Sequence, residues 1–290
     1  MKSWNPLLKP QAANRRSGSL DLQERASGTN GAPGRSNPYA KTVSLTKGAW
    51  GNDTAPSGTA GVAMTMDDVV VRTTMTLGMV VLGAVLSWVL LPVDEENLNT
   101  SYGIAVGAAL VAFILALIQV FTPKPVPALI LSYAAFEGVF LGVISSAVST
   151  YISPGVVVQT VLGTMAVFAG VLIAYKLRWI RVTRRFYGFV MAAAVGFLIL
   201  MLANLLFSAF SRGDGLGFRS GWLGLLFGVV GVLLGAAFLA LDFRQVEDGI
   251  NEGAPREQSW LSAFGLTLSL VWIYLEILQL LSLIQGDDWT

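Results

Sequence analysis

The sequence contains no cysteine and no histidine, and only 13% of its 290 residues are charged. Without cysteine the chain forms no disulfide and offers no thiolate as a nucleophile or metal ligand. Without histidine it lacks the commonest metal ligand and the usual side chain for switching charge near neutral pH. Any proton-linked chemistry in this chain must therefore depend on carboxyl groups.

The low charge density is combined with a high apolar content of 54%. Soluble domains carry about 25% charged residues, so this composition excludes an ordinary soluble globule and indicates a membrane protein. The charge balance, with 19 Lys and Arg against 18 Asp and Glu, says little about partners. We expect no nucleic-acid partner and no cofactor.

The N-terminal part of the chain differs in composition from the rest. Residues 1–66 are rich in Gly, Ser, Asn, Pro and Ala and have no sustained apolar period, so they predict a disordered tail. The tail has no apolar stretch of the kind that a signal peptide requires. Thr65 is a predicted helix N-cap, and Asp67 and Asp68 place negative charge where a helix N-terminus favours it. Residues 67–286 form the predicted membrane domain.

The membrane domain is a series of long apolar runs. A helix needs about 20 apolar residues to cross the hydrocarbon core of a bilayer, and the runs lack the alternation expected of barrel strands. They predict an all-α membrane protein with seven transmembrane helices at Val69–Leu91, Tyr102–Phe121, Pro127–Ser149, Val156–Tyr175, Tyr187–Phe210, Trp222–Leu241 and Ser259–Ile284.

The basic residues predict the orientation of these spans. If the N-terminus is cytoplasmic, all but two of the 19 Lys and Arg residues lie on the cytoplasmic side, and the exceptions are Arg212 and Arg219. Cytoplasmic loops of membrane proteins carry an excess of Lys and Arg. We therefore expect the N-terminus inside and the C-terminus outside. The basic cluster at 176–185 is read as a topology signal and a contact for lipid headgroups.

Ionisable residues inside apolar runs are costly and are therefore the first candidates for function. No lysine lies in any span, which excludes a retinal protein despite the seven helices. Three acids remain: Glu137 in the third span, Asp242 at the inner end of the sixth and Glu276 inside the seventh. Glu137 is a possible pore or gating acid without an identifiable partner. Asp242 could also be a solvated helix end at the membrane surface.

Helical spacing places two of these acids on faces made of small residues. The sixth span carries glycines spaced 4, 3 and 4 residues apart, and Asp242 continues their stripe. Such small residues let a neighbouring helix pack closely. Asp242 and Glu276 could therefore approach each other where the sixth and seventh spans pack. The glycines are Gly224, Gly228, Gly231 and Gly235, and the matching face of the seventh span holds Ser262, Gly265, Ser269, Glu276 and Gln279.

Four segments resemble a known family. They are Leu270–Leu281 with its aromatic-Leu-acid pattern, Leu239–Val246 around Asp242, Met64–Val70 and Tyr133–Gly138. Together with seven spans they resemble the Bax inhibitor-1/YccA family (transmembrane Bax inhibitor motif proteins), in particular its bacterial members. The resemblance covers residues 64–285 and implies six helices packed around a central seventh. It also implies a multi-pass protein of the bacterial cytoplasmic membrane.

The resemblance further implies a pH-sensitive Ca²⁺ leak that is gated by a hydrogen-bonded pair of acids. Asp242 takes the role of the acid in helix six, and Glu276 takes that of the acid in helix seven. In the family the latter is usually Asp, and the interval between the two acids is shorter than it is here. Close carboxyl groups share a proton, and once ionised they repel each other and offer the oxygen ligands that Ca²⁺ prefers. Asp242 and Glu276 are thus tentative Ca²⁺ ligands, with Ca²⁺ as the transported ion.

Two alternatives to a leak channel come from other functional classes. The chain could be a non-transporting regulator that binds a membrane protease or another membrane protein of a stress response, with the tail as its interaction arm. An intramembrane enzyme is weakly supported, because the chain has no zinc-binding pattern and no serine motif with a base. Asp214-Gly215, the nearest match to an intramembrane aspartyl protease motif, falls in a predicted outer loop. We expect no enzymatic activity.

Overall fold

The computed structural model describes residues 62–94, 96–211 and 220–286, with the side chains of Ala209 and Ser211 excluded. The predicted disorder of residues 1–61 and the predicted outer loop with Arg212, Asp214, Gly215 and Arg219 therefore lie outside the described residues. Residues 62–66, which the composition assigned to the tail, instead form ordered contacts with the membrane domain.

The protein is an all-α membrane protein, and seven helices in the described ranges are long and apolar enough to cross a bilayer. The ends of most of these helices lie within a few residues of the ends of the predicted spans. The sixth helix is the exception, because it continues ten residues beyond its predicted end and so encloses Asp242. The helices are α1 Met66–Leu90, α2 Leu98–Phe121, α3 Pro127–Tyr151, α4 Val156–Lys176, α5 Arg184–Ser211, α6 Gly221–Asn251 and α7 Ser259–Gln285.

The seventh helix lies at the centre of the bundle. It packs against α1, α3, α4 and α6, and the ring of Phe197 on α5 lies 5.5 Å from that of Trp272 on α7. Helix α2 packs on α3 at the outside of the bundle. The middle of α7 is accordingly buried, as at Ile273 and Leu278. The family-derived expectation of a central seventh helix is confirmed.

Helices α1 and α3 approach each other so closely that their backbones touch. A Cβ added to Gly138 would lie 2.3 Å from the carbonyl oxygen of Val80, and one added to Gly142 would lie 2.3 Å from that of Ala84. On the opposite helix, a Cβ on Gly83 would lie 2.6 Å from the carbonyl oxygen of Ala135. Small residues permit this approach, which gains packing energy in a bilayer where no hydrophobic force joins helices.

The start of α1 is fastened to the connection between α6 and α7. Thr65 and Asp68 form a capping box at the N-terminus of α1. Just before the cap, the backbone amide of Met64 donates to the carbonyl of Ala254 in the connection at 2.8 Å. The Arg256 side chain donates to Asp68 at 2.7 Å. We call this set of contacts, together with those of Arg72, the clasp.

Arg72 is the central side chain of the clasp. It donates to the backbone carbonyl of Arg256 and to the hydroxyl of Ser259, and its guanidinium lies 5.2 Å from the centre of the Trp260 ring. A half-buried arginine in this geometry stabilises both elements that it joins.

Replacing Arg72 by Gln is expected to lower the stability of the folded protein by about 2 kcal/mol. A charge-assisted hydrogen bond contributes about 1.5–3 kcal/mol, and the glutamine amide can replace one of the two that Arg72 donates. Thermal unfolding in detergent measures the change. Arg244→Gln is the matched control, since Arg244 forms only an exposed pair with Asp248 and such pairs contribute less than about 1 kcal/mol. Equal unfolding temperatures for the two variants would contradict the assignment.

Candidate functional site

The candidate site lies where α6 and α7 pack side by side in opposite directions. We call this contact the acidic seam, and it comprises Gly231 and Asp242 on α6 and Gly265, Ser269 and Glu276 on α7. The glycines bring the two helices together, because an added Cβ at either position would overlap an acid of the opposite helix.

Asp242 lies against a part of α7 made of small residues. The hydroxyl of Ser269 donates to its Oδ2 atom at 2.5 Å. A Cβ added to Gly265 would lie 2.8 Å from its Oδ1 atom. The carboxyl group is thus half-buried between the helices, nine residues before α6 ends, and so does not lie at a helix terminus.

Glu276 lies deeper in the same seam and is 5% exposed. A Cβ added to Gly231 would lie 2.6 Å from its Oε2 atom, so the carboxyl group rests directly on the backbone of α6. The indole of Trp272 donates to the carbonyl of the same glycine at 3.0 Å. Two side chains of α7, those of Glu276 and Trp272, therefore contact Gly231. These contacts fix the position of Glu276 against α6.

The structure does not bring Asp242 and Glu276 into contact with each other. Asp242 lies level with Ser269, and Glu276 is seven residues further along α7, or about 10 Å at 1.5 Å per residue. The reason is the length of α6, which continues nine residues past Asp242 to Asn251. In an antiparallel pair those nine residues shift the level of Asp242 toward the first third of α7. The expected hydrogen-bonded pair is corrected to two acids in series.

Two other glycines of the predicted stripe also face α7. Gly228 lies against Leu280, and Gly235 lies against Ile273, in both cases so closely that an added Cβ would clash with the side chain at 2.6 Å. Gly224 is buried as well. These glycines serve packing within the chain, and the two acids occupy the same line of contact.

Polar groups continue along the face of α7 on which the acids lie. Ser262 is buried toward the start of the helix. One turn beyond Glu276, the Oε1 atom of Gln279 is buried and accepts no hydrogen bond from the described residues. A buried acceptor without a partner costs about 1–3 kcal/mol unless water or an ion reaches it. This face of α7 thus carries Glu276 and Gln279 and packs against Asp242.

Glu137 stands apart from the seam. It is half-buried on α3, in the turn between Tyr133 and Leu141, which pack in one cluster with Phe264 of α7. Among residues 62–94, 96–211 and 220–286, no contact that the structure gives links it to α6, so this candidate gating acid is separate from the other two.

Two hydrogen bonds to α7 were not indicated by the sequence. The hydroxyls of Thr76 and Thr267 lie 2.8 Å apart in the interior, and those of Ser145 and Tyr274 lie 2.7 Å apart. They fix α7 against α1 and α3 on the sides that do not carry the acids. Hydroxyl residues are common in membrane helices. The sequence does not show which of them will form hydrogen bonds between helices, because that depends on the neighbouring helix.

The seam is a poor site for permanent metal binding. Across the described ranges, no three acidic side chains converge as a stable metal site would require. Ca²⁺ takes six to eight oxygen ligands, and the seam offers one carboxylate and one hydroxyl at the level of Asp242.

Comparison with known proteins agrees with the segments that resemble a family. Among curated proteins, no sequence matches this chain. A family model described as Bax inhibitor 1 like matches residues 5–286, which includes all seven helices and the acidic seam. The chain therefore belongs to the Bax inhibitor 1 like family.

Proposed function

We propose that the protein is a pH-sensitive leak pathway for Ca²⁺ whose gate is the acidic seam. The observation that supports this most is the series of polar groups along one helix contact, in which Glu276 is buried and Asp242 and Gln279 are half-buried. Intramembrane acids are costly, and they mark ion and proton pathways in membrane proteins.

The gate follows from the cost of charge between the two helices. With Asp242 protonated, the acid is neutral and the packed seam observed here satisfies it through Ser269. With Asp242 ionised, the charge favours an opened seam in which water and a cation solvate the carboxylate. Two packings whose balance shifts with one proton are the minimum that a proton-controlled leak requires. Flux should therefore rise with pH.

Few other charged groups near Asp242 could account for a response of the seam to pH. The part of α7 that faces it offers Gly265 and Ser269, neither of which titrates. On α4, Tyr175 packs on the neighbouring Phe243 and donates to Glu247. Arg244 on α6 is exposed and paired with Asp248. Glu276 is the one other acid in the seam.

A flux assay with purified protein tests the proposal. Liposomes containing the protein and a Ca²⁺ indicator, with the membrane potential clamped, are expected to admit Ca²⁺ about tenfold faster at pH 8 than at pH 6. This change lies within the limit of about a hundredfold that one titrating proton sets over two pH units. Protein-free liposomes give the background. A rate at the background level across this range, or a rate independent of pH, would show that the seam is no such gate.

A further inference from the structure

A lengthwise groove separates α1 from α4 on the outside of the bundle. The half of the groove that lies toward the end of α1 is a cavity of about 460 Å³, which we call the outer cavity. It is lined almost completely by apolar side chains. Trp88 of α1 and Val161 and Met165 of α4 form its walls, and Leu270 of α7 lies at its floor. A cavity with so little polar lining suits a hydrocarbon chain.

The groove continues into a second cavity of about 1100 Å³, with Leu77 lining both. This half opens at the end of the bundle where α1 begins and α4 ends. Its rim carries four exposed basic side chains and one acid, Glu247, which already accepts a hydrogen bond from Tyr175. The basic residues are Lys176, Arg178, Arg181 and Arg244.

We propose that this groove binds one anionic phospholipid, with its phosphate at the basic rim and an acyl chain between α1 and α4. The dimensions agree for the cavity that carries the rim, because Met66 and Leu77 of its lining are eleven residues apart, or about 16 Å along α1. That length is close to half of the hydrocarbon thickness of a bilayer, which is about 30 Å. An acyl chain that starts at the rim therefore extends at least to Leu77, where the outer cavity begins.

The charge of the rim selects an anionic headgroup over a zwitterionic one. Arg244 is engaged with Asp248 at 2.9 Å, which leaves Lys176, Arg178 and Arg181 to meet a phosphate. Basic side chains near the membrane surface each strengthen the binding of anionic lipid. Trp179, which is 77% exposed between them, is of the type that anchors a segment at the level of the headgroups.

Native mass spectrometry of the purified full chain tests the headgroup. Phosphatidylglycerol added to the detergent solution is expected to remain bound about tenfold more tightly than phosphatidylcholine of the same chain length. Arg178→Gln with Arg181→Gln should remove most of this preference. The matched control is Arg184→Gln with Arg185→Gln, because this double substitution removes the same charge from residues outside the groove lining.

The apolar half is tested by filling it. Val161→Trp places a large ring in the outer cavity and should weaken retention of phosphatidylglycerol by about tenfold. Val158→Trp should not, since Val158 is outside the cavity lining. Both positions are exposed on α4, at 46% and 62%, so neither substitution disturbs the interior.

Three results would overturn the proposal. One is equal retention of the two lipids, and another is an equal effect of the groove and control variants. The third is displacement of phosphatidylglycerol by millimolar inorganic phosphate, which would assign the rim to a free anion instead of a lipid.

Discussion

Asp242→Asn protein in liposomes is expected to pass Ca²⁺ at one low rate at pH 6 and pH 8, about tenfold below the unmodified protein at pH 8. Asparagine preserves the size of the side chain and its hydrogen bond with Ser269, and it cannot ionise. The seam is therefore held in its packed state at every pH. The measurement is indicator fluorescence under a clamped potential.

Two further acids separate gating from passage in the same assay. Glu276→Gln removes the second acid of the seam and should lower the rate at pH 8 while some pH dependence remains, since Asp242 still titrates. Glu137→Gln is the matched control, because Glu137 is an intramembrane acid away from α6, and it should leave both rate and pH dependence unchanged.

The opposite result would reassign the sensor. If Asp242→Asn retains the pH dependence of the unmodified protein and Glu137→Gln abolishes it, proton control lies on α3 and the seam serves packing alone. Each of the three substitutions neutralises one acid and nearly preserves its size. A difference in flux between the variants therefore reflects where the acid lies and not the loss of a charge as such.

Gly138→Ala is expected to destabilise the fold strongly for the addition of a single methyl group. The added Cβ would lie 2.3 Å from the carbonyl oxygen of Val80, and a backbone atom cannot rotate away as a side chain does. Helices α1 and α3 must separate, with a loss of about 3 kcal/mol in the free energy of unfolding, at the upper end of the usual cost of overpacking. Thermal or denaturant unfolding in detergent measures the loss.

Gly78→Ala on α1 is the matched control for this substitution. No atom lies within 4 Å of a Cβ added to Gly78, and alanine favours a helix over glycine by about 1 kcal/mol. The control should therefore be neutral or slightly stabilising. A loss of stability in both variants would indicate that glycine is needed in α1 and α3 for reasons other than helix contact.

The positions of the helices could be predicted from sequence because the bilayer imposes a length and an apolar composition on each span. The start of α1 was also predictable, since the cap at Thr65 and the acids behind it are local signals. The end of α6 was not. Most residues after Leu241 are polar. The end of an apolar run marks where a helix leaves the membrane, which need not be where the helix ends.

The relation between the two acids of the seam could not be predicted for the same reason. Periodicity showed which face of each helix carries them, and both do lie at the contact of α6 with α7. Their relative height depends on where α6 ends and how the connection turns, which no spacing within either helix encodes. The close approach at Gly138 and Gly142 was missed because glycines four residues apart do not identify the helix that they meet.

The length of α6 makes membrane thickness a variable of this protein. At 31 residues the helix is about 46 Å long, and the hydrocarbon core measures about 30 Å. The surplus must be absorbed by tilt or by projection of the polar turns after Asp242 beyond the core. In a thin bilayer Asp242 then lies at headgroup level, and in a thick one it lies within hydrocarbon. Lipid chain length would thus tune the same carboxyl group that responds to protons.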